Sequence, residues 1–279
     1  MNYQEILFKG NKLLKTKINN TNLDTELILS KVLNKTREEI LTNLKNEIDE
    51  EQVDKFNFYL KRRKKKEPIA YILGYKYFWK YKFFVNNSVL IPRPETEHII
   101  EEVLKLIPIN KSKNILDIGT GSGCIIISIL KERNKCKGSA IDISNKAIKI
   151  AKINAKIHQL ENKIKYVNID IDKFNSSKYD LVISNPPYID DINLARLDDG
   201  VRLFEPKLAL SGGINGFKEI EKVIIKGKKL LKHNGKLIIE IGHNQKDHSL
   251  NYLKKYGFYI NKICKDLSGK SRCIISTKI

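Results

Sequence analysis

Asn185-Pro186-Pro187-Tyr188 follows the apolar run Tyr179-Asp180-Leu181-Val182-Ile183-Ser184, and these residue types fit one kind of chemistry. Prolines fix φ and carry no N–H, so the carbonyls around them can turn outward and accept hydrogen bonds. An Asn side-chain oxygen beside such a carbonyl makes a pair of acceptors for a planar –NH2 group. Tyr188 can stack on the flat group that bears this nitrogen. The set suits methyl transfer to an amide or an exocyclic amine. A Pro-rich turn after a buried strand has the same letters, and that is how most Pro-Pro pairs read. The segments upstream decide between the two.

The first of these is Asp117-Ile118-Gly119-Thr120-Gly121-Ser122-Gly123-Cys124. Glycines let a backbone turn sharply and approach a ligand closely, and a helix N-terminus behind them favours an anionic group. The dinucleotide fingerprint requires a glycine where Cys124 stands. Gly-x-Gly-x-Gly after an acid instead suits S-adenosylmethionine, whose amino-acid part needs no pyrophosphate cradle. The candidate cofactor residues are Gly119, Thr120, Gly121, Ser122 and Gly123, with Asp142 placed to accept the ribose hydroxyls at the end of the next strand. Asp170 is placed to meet the adenine amino group and Ile171 to pack on the ring, although a strand-end Asp also serves as a helix cap. Asn185 lies on the same strand edge and is itself a candidate cofactor-binding residue, so donor and acceptor meet there.

These residues need a scaffold that brings strand ends together. After about residue 112 strand and helix patterns alternate, with strands expected at Asn114–Ile118, Ser139–Ile143, Lys165–Ile169, Tyr179–Ser184, Lys236–Ile241, Phe258–Cys264 and Cys273–Thr277. Helices are expected at Asn145–His158 and Gly216–Leu231. Such alternation implies a mostly parallel sheet covered on both faces. The last two strands follow one another without a helix, so they form an antiparallel pair. Upstream, residues 1 to about 66 read as helical, with capping boxes at Thr36–Glu39 and Asp49–Gln52. Lys61-Arg62-Arg63-Lys64-Lys65-Lys66 reads as a helix end favoured by the dipole, with a phosphate-contacting patch as the alternative. The aromatic and β-branched stretch from Tyr71 to Ile91 reads as a β-hairpin with a turn at Asn86-Asn87, and Pro92-Arg93-Pro94 opens a helix.

The bulk properties exclude more than they identify. Nothing in the 279 residues resembles a transmembrane span or a signal peptide. Four scattered cysteines form no disulfide framework or zinc motif, no metal is called for, and the expected location is cytoplasmic. The formal net charge of +20 invites nucleic-acid contact. The abundance of Lys, Asn and Ile equally fits codon bias on solvated surfaces, so direct nucleic-acid binding is possible but not required. The expected oligomeric state is a monomer.

Taken together, these features resemble the HemK/PrmC family of release-factor glutamine N5-methyltransferases. The resemblance runs from Pro68-Ile69-Ala70-Tyr71-Ile72-Leu73-Gly74 through Val89-Leu90-Ile91-Pro92-Arg93-Pro94-Glu95-Thr96-Glu97 to Val201-Arg202-Leu203-Phe204-Glu205-Pro206 and Asp266-Leu267-Ser268-Gly269-Lys270-Ser271-Arg272. It implies a class I S-adenosylmethionine-dependent methyltransferase, Rossmann-like with a mostly parallel seven-stranded sheet, an α/β fold preceded by a small N-terminal helical domain and a β-hairpin linker. The expected division is 1–70 for substrate recognition, 71–92 for the linker and 93–279 for catalysis. The implied activity is methylation of the glutamine side chain in the Gly-Gly-Gln loop of peptide chain release factors, its protein substrate and partner. Asn185, Pro186 and Tyr188 are the candidate catalytic residues, and Pro187 joins them in the substrate slot. Glu95, Thr96 and Glu205 are expected near the mouth of the site. The alternative is a nucleic-acid methyltransferase acting on an exocyclic amine of adenine or of a ribosomal RNA base.

Overall fold

The computed structural model describes residues 1–15, 18, 20–176 and 178–279. It divides into two compact units, residues 1–75 with 198–204, and residues 76–197 with 205–279.

The first unit is helical. Thr36 and Asp49 cap the helices Arg37–Thr42 and Glu50–Lys64, each reciprocated by the expected Glu39 and Gln52 side chains. A further capping box, Asn2 with Glu5, starts the helix Tyr3–Leu14. Ile6, Leu14, Ile28, Leu29, Ile40, Phe56 and Leu60 close the core of this unit. In the basic run, Arg62 pairs with Glu67, Arg63 with Asp24 and Lys66 with Asp199. Half of its charge thus holds the unit together. Tyr71–Leu73, expected in the hairpin, belong to the short helix Ile69–Leu73, which ends at Gly74 with φ +84°. The helical expectation for residues 16, 17 and 19 lies outside the described residues.

The second unit begins with a hairpin of β1 (Tyr75–Phe78) and β2 (Tyr81–Phe84). Its turn is Trp79-Lys80 rather than Asn86-Asn87, which turns the chain only after β2. Trp79 takes φ +56°, a costly conformation for a bulky residue. Its backbone N–H donates to Glu97 (2.8 Å) and its indole N–H to Glu132 (3.1 Å), contacts from distant sequence that outweigh the local preference.

Seven strands follow: β3 (Asn114–Ile118), β4 (Lys137–Asp142), β5 (Ile164–Asn168), β6 (Tyr179–Ser184), β7 (Leu231–Glu240), β8 (Phe258–Lys265) and β9 (Ser271–Lys278). Their order in the sheet is β5-β4-β3-β6-β7-β9-β8. All neighbours are parallel except β9, which runs antiparallel to β7 and β8. The expected strands are all present, but β7 starts five residues early. Leu231 pairs with Tyr179 before an irregularity that the turn-like letters His233-Asn234-Gly235 concealed.

The apolar strand residues face both ways, as a doubly covered parallel sheet requires. Ile115, Ile126, Ile183 and Ile238 join one buried cluster, covered by the helices Glu97–Leu106, Cys124–Glu132 and Asn145–Ile157. Leu116, Val182, Leu237 and Ile239 join the other, under the helices Lys218–Leu230 and Lys246–Lys255. Chain order runs outward from β3 in both directions, through β4 on one side and β6 on the other. Ligands of open α/β sheets sit beyond the carboxyl ends of the strands at such a reversal. Among the described residues no helix is long and apolar enough to cross a membrane.

Candidate active site

Register fixes which residues meet at that reversal. Ile118 of β3 pairs with Ser184 of β6, and Ser184 in turn pairs with Ile239 of β7. The residues that follow, Gly119, Asn185 and Glu240, therefore leave three adjacent strands at one level. A cavity of about 350 Å3 opens there.

The loop after β3 is held from beneath. The N–H groups of Gly119 and Thr120 donate to the Ile141 carbonyl (2.9 and 3.0 Å), and the Thr120 hydroxyl donates to Asp117 (2.7 Å). Asp117 is fully buried, and burial pushes its carboxyl up to about 7. Its other oxygen has no partner among the described residues. Gly119, Gly121 and Gly123 all have positive φ, but for different purposes. A Cβ on Gly119 or Gly121 would meet nothing within 4 Å, whereas one on Gly123 would stand 3.0 Å from Ile127 and 3.2 Å from Ala151. The first two glycines keep open space for a ligand, while the third lets the next helix pack closely.

Asp142 ends β4 with its carboxylate aimed by the backbone. Its Oδ2 accepts from the Gly121 N–H (2.9 Å) and its Oδ1 from the Ser144 N–H (2.8 Å). Burial raises its pKa against these two bonds. A carboxylate oxygen can accept more than one hydrogen bond, so acceptor capacity is left for a ligand's hydroxyl groups. Asp170 uses one oxygen to cap the short turn Ile171–Lys173 through the Asp172 N–H (2.8 Å). Asp170 and Ile171 nevertheless line the cavity, along with the exposed apolar Ile143. A glycine cradle with no side chain in it, a pre-aimed carboxylate and apolar walls fit the amino-acid, ribose and base parts of S-adenosylmethionine.

On the other wall stand Asn185, Pro186 and Pro187. The Asn185 side-chain nitrogen donates to the Thr96 hydroxyl (3.1 Å), leaving its oxygen without a partner among the described residues. Tyr188 departs from its expected place. Its ring packs against the second cluster rather than lining the cavity, and its hydroxyl donates to Glu240 (3.4 Å). Burial raises the phenol well above its ordinary value, with the negative charge of Glu240 adding to the rise. Gly123 is likewise off the cavity wall, for the packing reason above.

Glu205 and Arg93 secure the rim. Glu205 accepts from the Ile91 N–H (3.1 Å) and from the Arg93 guanidinium (2.6 Å), its side chain only 1% exposed. This pair ties the segment Val89–Arg93, which lines the cavity, to a residue more than a hundred positions away. Sequence reasoning placed Glu205 near the site without a role, missed Arg93, and passed over Glu240. An acid closing an apolar strand, as Glu240 closes Leu237-Ile238-Ile239, was the available signal.

A class I methyltransferase fold is what this sheet order and site define, and known proteins agree. Residues 5–74 match the family described as PrmC N-terminal domain, and residues 99–201 the methyltransferase small domain. The solved structure of a methyltransferase from Pyrococcus furiosus is similar at a TM-score of 0.54 and 18% identity, over 70% of this chain and 88% of that one. Within that class, the chain is 37% identical over 262 residues to the release factor glutamine methyltransferase of Caulobacter vibrioides, covering 94% of this chain and 91% of that one. It is 36% identical over 291 residues to a bifunctional methyltransferase of Rickettsia typhi, of whose length it spans 56%. The chain belongs to the release factor glutamine methyltransferase family.

Proposed function

We propose that this protein transfers a methyl group from S-adenosylmethionine to the side-chain nitrogen of the glutamine in the Gly-Gly-Gln loop of peptide chain release factors. The observation that carries the proposal is the Asn185 amide, held by Thr96 at the sheet reversal with its oxygen unpartnered, beside the open cradle of Gly119 and Gly121. The family relationship supplies the substrate class. We place the work in the cytoplasm, where release factors act, and take the working form as a monomer.

Gly119, Thr120, Gly121 and Ser122 would hold the amino-acid part of S-adenosylmethionine, Asp142 its ribose, and Asp170 and Ile171 its base. When bound, this cofactor supplies an electrophilic methyl group. The chain's own task is to position a poor nucleophile, since the lone pair of an amide nitrogen is delocalised into its carbonyl. Aligning the reactants can account for about 7–11 kcal/mol of barrier lowering. The Asn185 oxygen and the Pro186 carbonyl would accept the two amide hydrogens, orienting the nitrogen and stabilising positive charge that develops on it. Pro187 would shape the slot. Tyr188 would support it from behind, through Glu240.

An exocyclic amine of a nucleic-acid base would suit the same acceptors, and the charge of +20 would attract its carrier. No observation in the second unit favours that reading over the amide. The test offers S-adenosylmethionine with a labelled methyl group, release factor, and separately DNA and ribosomal RNA. Label on the glutamine of the Gly-Gly-Gln loop, located by mass spectrometry, is expected. Label in nucleic acid and none in protein would overturn the proposal.

A further inference from the structure

Cys264 and Cys273 have a spacing that matches no motif, yet the fold sets them directly opposite each other. They are register partners in the antiparallel pair of β8 and β9, beside the irregularity between Cys264 and Lys265. Opposite residues share a face of the sheet, and both side chains belong to the buried cluster that contains Ile183 and Ile238. Opposite Cα atoms in such a pair lie about 4.5–5.5 Å apart. That separation falls inside the roughly 4.4–6.8 Å that a disulfide spans. To bond, the two Cβ atoms need approach by only about 1 Å. Both residues are free thiols in this structure.

We propose that Cys264 and Cys273 are a reversible oxidation site, a dithiol that small-molecule disulfides convert into a cross-strand disulfide in the folded protein. The site lies outside the methyl-transfer machinery and is independent of which substrate the cavity takes. Access comes from the edge, because β8 is the outermost strand of the sheet and such elements open locally without global unfolding. Cys264 is 7% exposed and Cys273 1%, so Cys264 meets the oxidant first. Its surroundings favour the thiolate as well. The neighbouring Cys273 thiol holds the Cys264 thiol below its ordinary value, helped by the positive charges of Lys262 and Lys105 and opposed by burial and by Glu102. Both lysines are ion-paired to Glu102, at 2.8 and 2.7 Å. Cys273 is held above its ordinary value, by the Cys264 thiol first and then by burial.

The chemistry is thiol–disulfide exchange, and it balances with the small-molecule disulfide alone. Cys264 gives up its proton and its sulfur attacks one sulfur of that disulfide. The S–S bond breaks, one small thiolate leaves and takes up a proton, and a mixed disulfide remains on Cys264. Cys273 then gives up its proton and attacks the Cys264 sulfur, releasing the second small thiol. The protein is oxidised by the loss of two hydrogens, and the small disulfide is reduced to two thiols. The new bond closes the loop 265–272 covalently. Asp266 already ties this loop, accepting from the Ser268 and Lys270 N–H groups (2.9 Å each) and from the Arg272 guanidinium (2.7 Å). The other two cysteines have no such opportunity, since neither Cys124 nor Cys136 is paired in register with a cysteine. Burial pushes the Cys124 thiol up to about 12 and raises that of Cys136.

The test uses the full chain, with oxidised glutathione as the small-molecule disulfide and mass spectrometry to map the products. In the folded wild type a Cys264–Cys273 disulfide should form, with Cys124 and Cys136 unmodified, and dithiothreitol should reverse it. In Cys273→Ala the reaction should stop at a mixed disulfide, with one glutathione on Cys264. Cys264→Ala should react far more slowly than the wild type. The oxidised wild type should melt about 5–10 °C above the reduced form, the effect of closing so short a loop. Amide hydrogen exchange within residues 265–272 should slow in parallel. A wild type that keeps glutathione on Cys264, or that forms the disulfide only when unfolded in denaturant, would overturn the inference. So would reaction of Cys124 or Cys136 as fast as that of Cys264. The wild-type mapping decides the matter even if a variant fails to fold. Methyl transfer plays no part in these readouts, so their failure leaves the proposed activity untouched.

Discussion

The two walls of the cavity are built in opposite ways. The cofactor wall is assembled from near neighbours in sequence: Asp117 holds Thr120, and Asp142 holds Gly121 and Ser144, each across 21 positions or fewer. The acceptor wall is assembled from afar, with Thr96 to Asn185 spanning 89 positions, Ile91 to Glu205 114, and Tyr188 to Glu240 52. The first wall can be specified by a short motif. The second depends on the whole sheet being in register. Affinity for the cofactor and competence for transfer should therefore be separable by mutation.

Asn185→Ala should break the comparison most sharply. Removing a preorganised group that meets developing charge costs on the order of 10²–10³ in kcat. The cofactor wall is untouched by this change, so S-adenosylmethionine binding measured by calorimetry should stay within a few-fold of wild type. Next in size is Glu205→Ala, which strands the Arg93 guanidinium and the Ile91 N–H. Breaking a buried ion pair by removing one partner costs about 3–5 kcal/mol. The lower end is expected because Arg93 keeps 32% of its side chain in solvent. Chemical denaturation would measure it.

Asp142→Ala is the mirror experiment on the cofactor wall. It removes an acceptor of two backbone N–H groups and, on the proposed cofactor placement, of the ribose hydroxyls, so cofactor affinity should fall by roughly tenfold to hundredfold. Turnover at saturating cofactor should change much less. Gly121→Ala sharpens the same point, because its φ of +55° strains the fold by only about 1–2 kcal/mol while the new methyl group enters the cradle. Binding should be lost from a protein that still melts cooperatively.

A further prediction concerns pH. The Asp117 carboxyl is raised from 3.8 to about 7 in the folded protein. The folded state then holds a proton that the unfolded chain has released, so stability falls as pH rises between those values. Asp117→Asn removes this dependence. Relative to wild type, its melting temperature should be higher at about pH 8 than at about pH 5.

The contrast between the walls also explains what the letters could convey. The strands from Asn114 to Ile118 and from Tyr179 to Ser184 were legible residue for residue, because buried parallel strands are continuous apolar runs ended by turn residues. The gathering of Gly119 to Ser122, Asp142, Asp170 and Asn185 around one cavity was legible because each sits beside its own strand end. The direction of the Tyr188 side chain was not legible, since nothing local announces that its hydroxyl bonds to Glu240. The hairpin turn at Trp79 was hidden for the same reason: Glu97 and Glu132 stabilise a conformation that the residue would not adopt alone. Thr96 and Glu205 stood out only by resemblance, and their partners came from the fold.

The most direct measurement is methyl transfer and cofactor binding by Asn185→Ala in parallel with the wild type. Release factor would be the acceptor, and the modified glutamine would be mapped by mass spectrometry. Wild-type modification of the Gly-Gly-Gln glutamine, abolished in Asn185→Ala with S-adenosylmethionine affinity retained, is the predicted result. An Asn185→Ala protein that still methylates this glutamine at the wild-type rate, or that loses cofactor affinity and turnover together, would contradict the division of labour between the two walls.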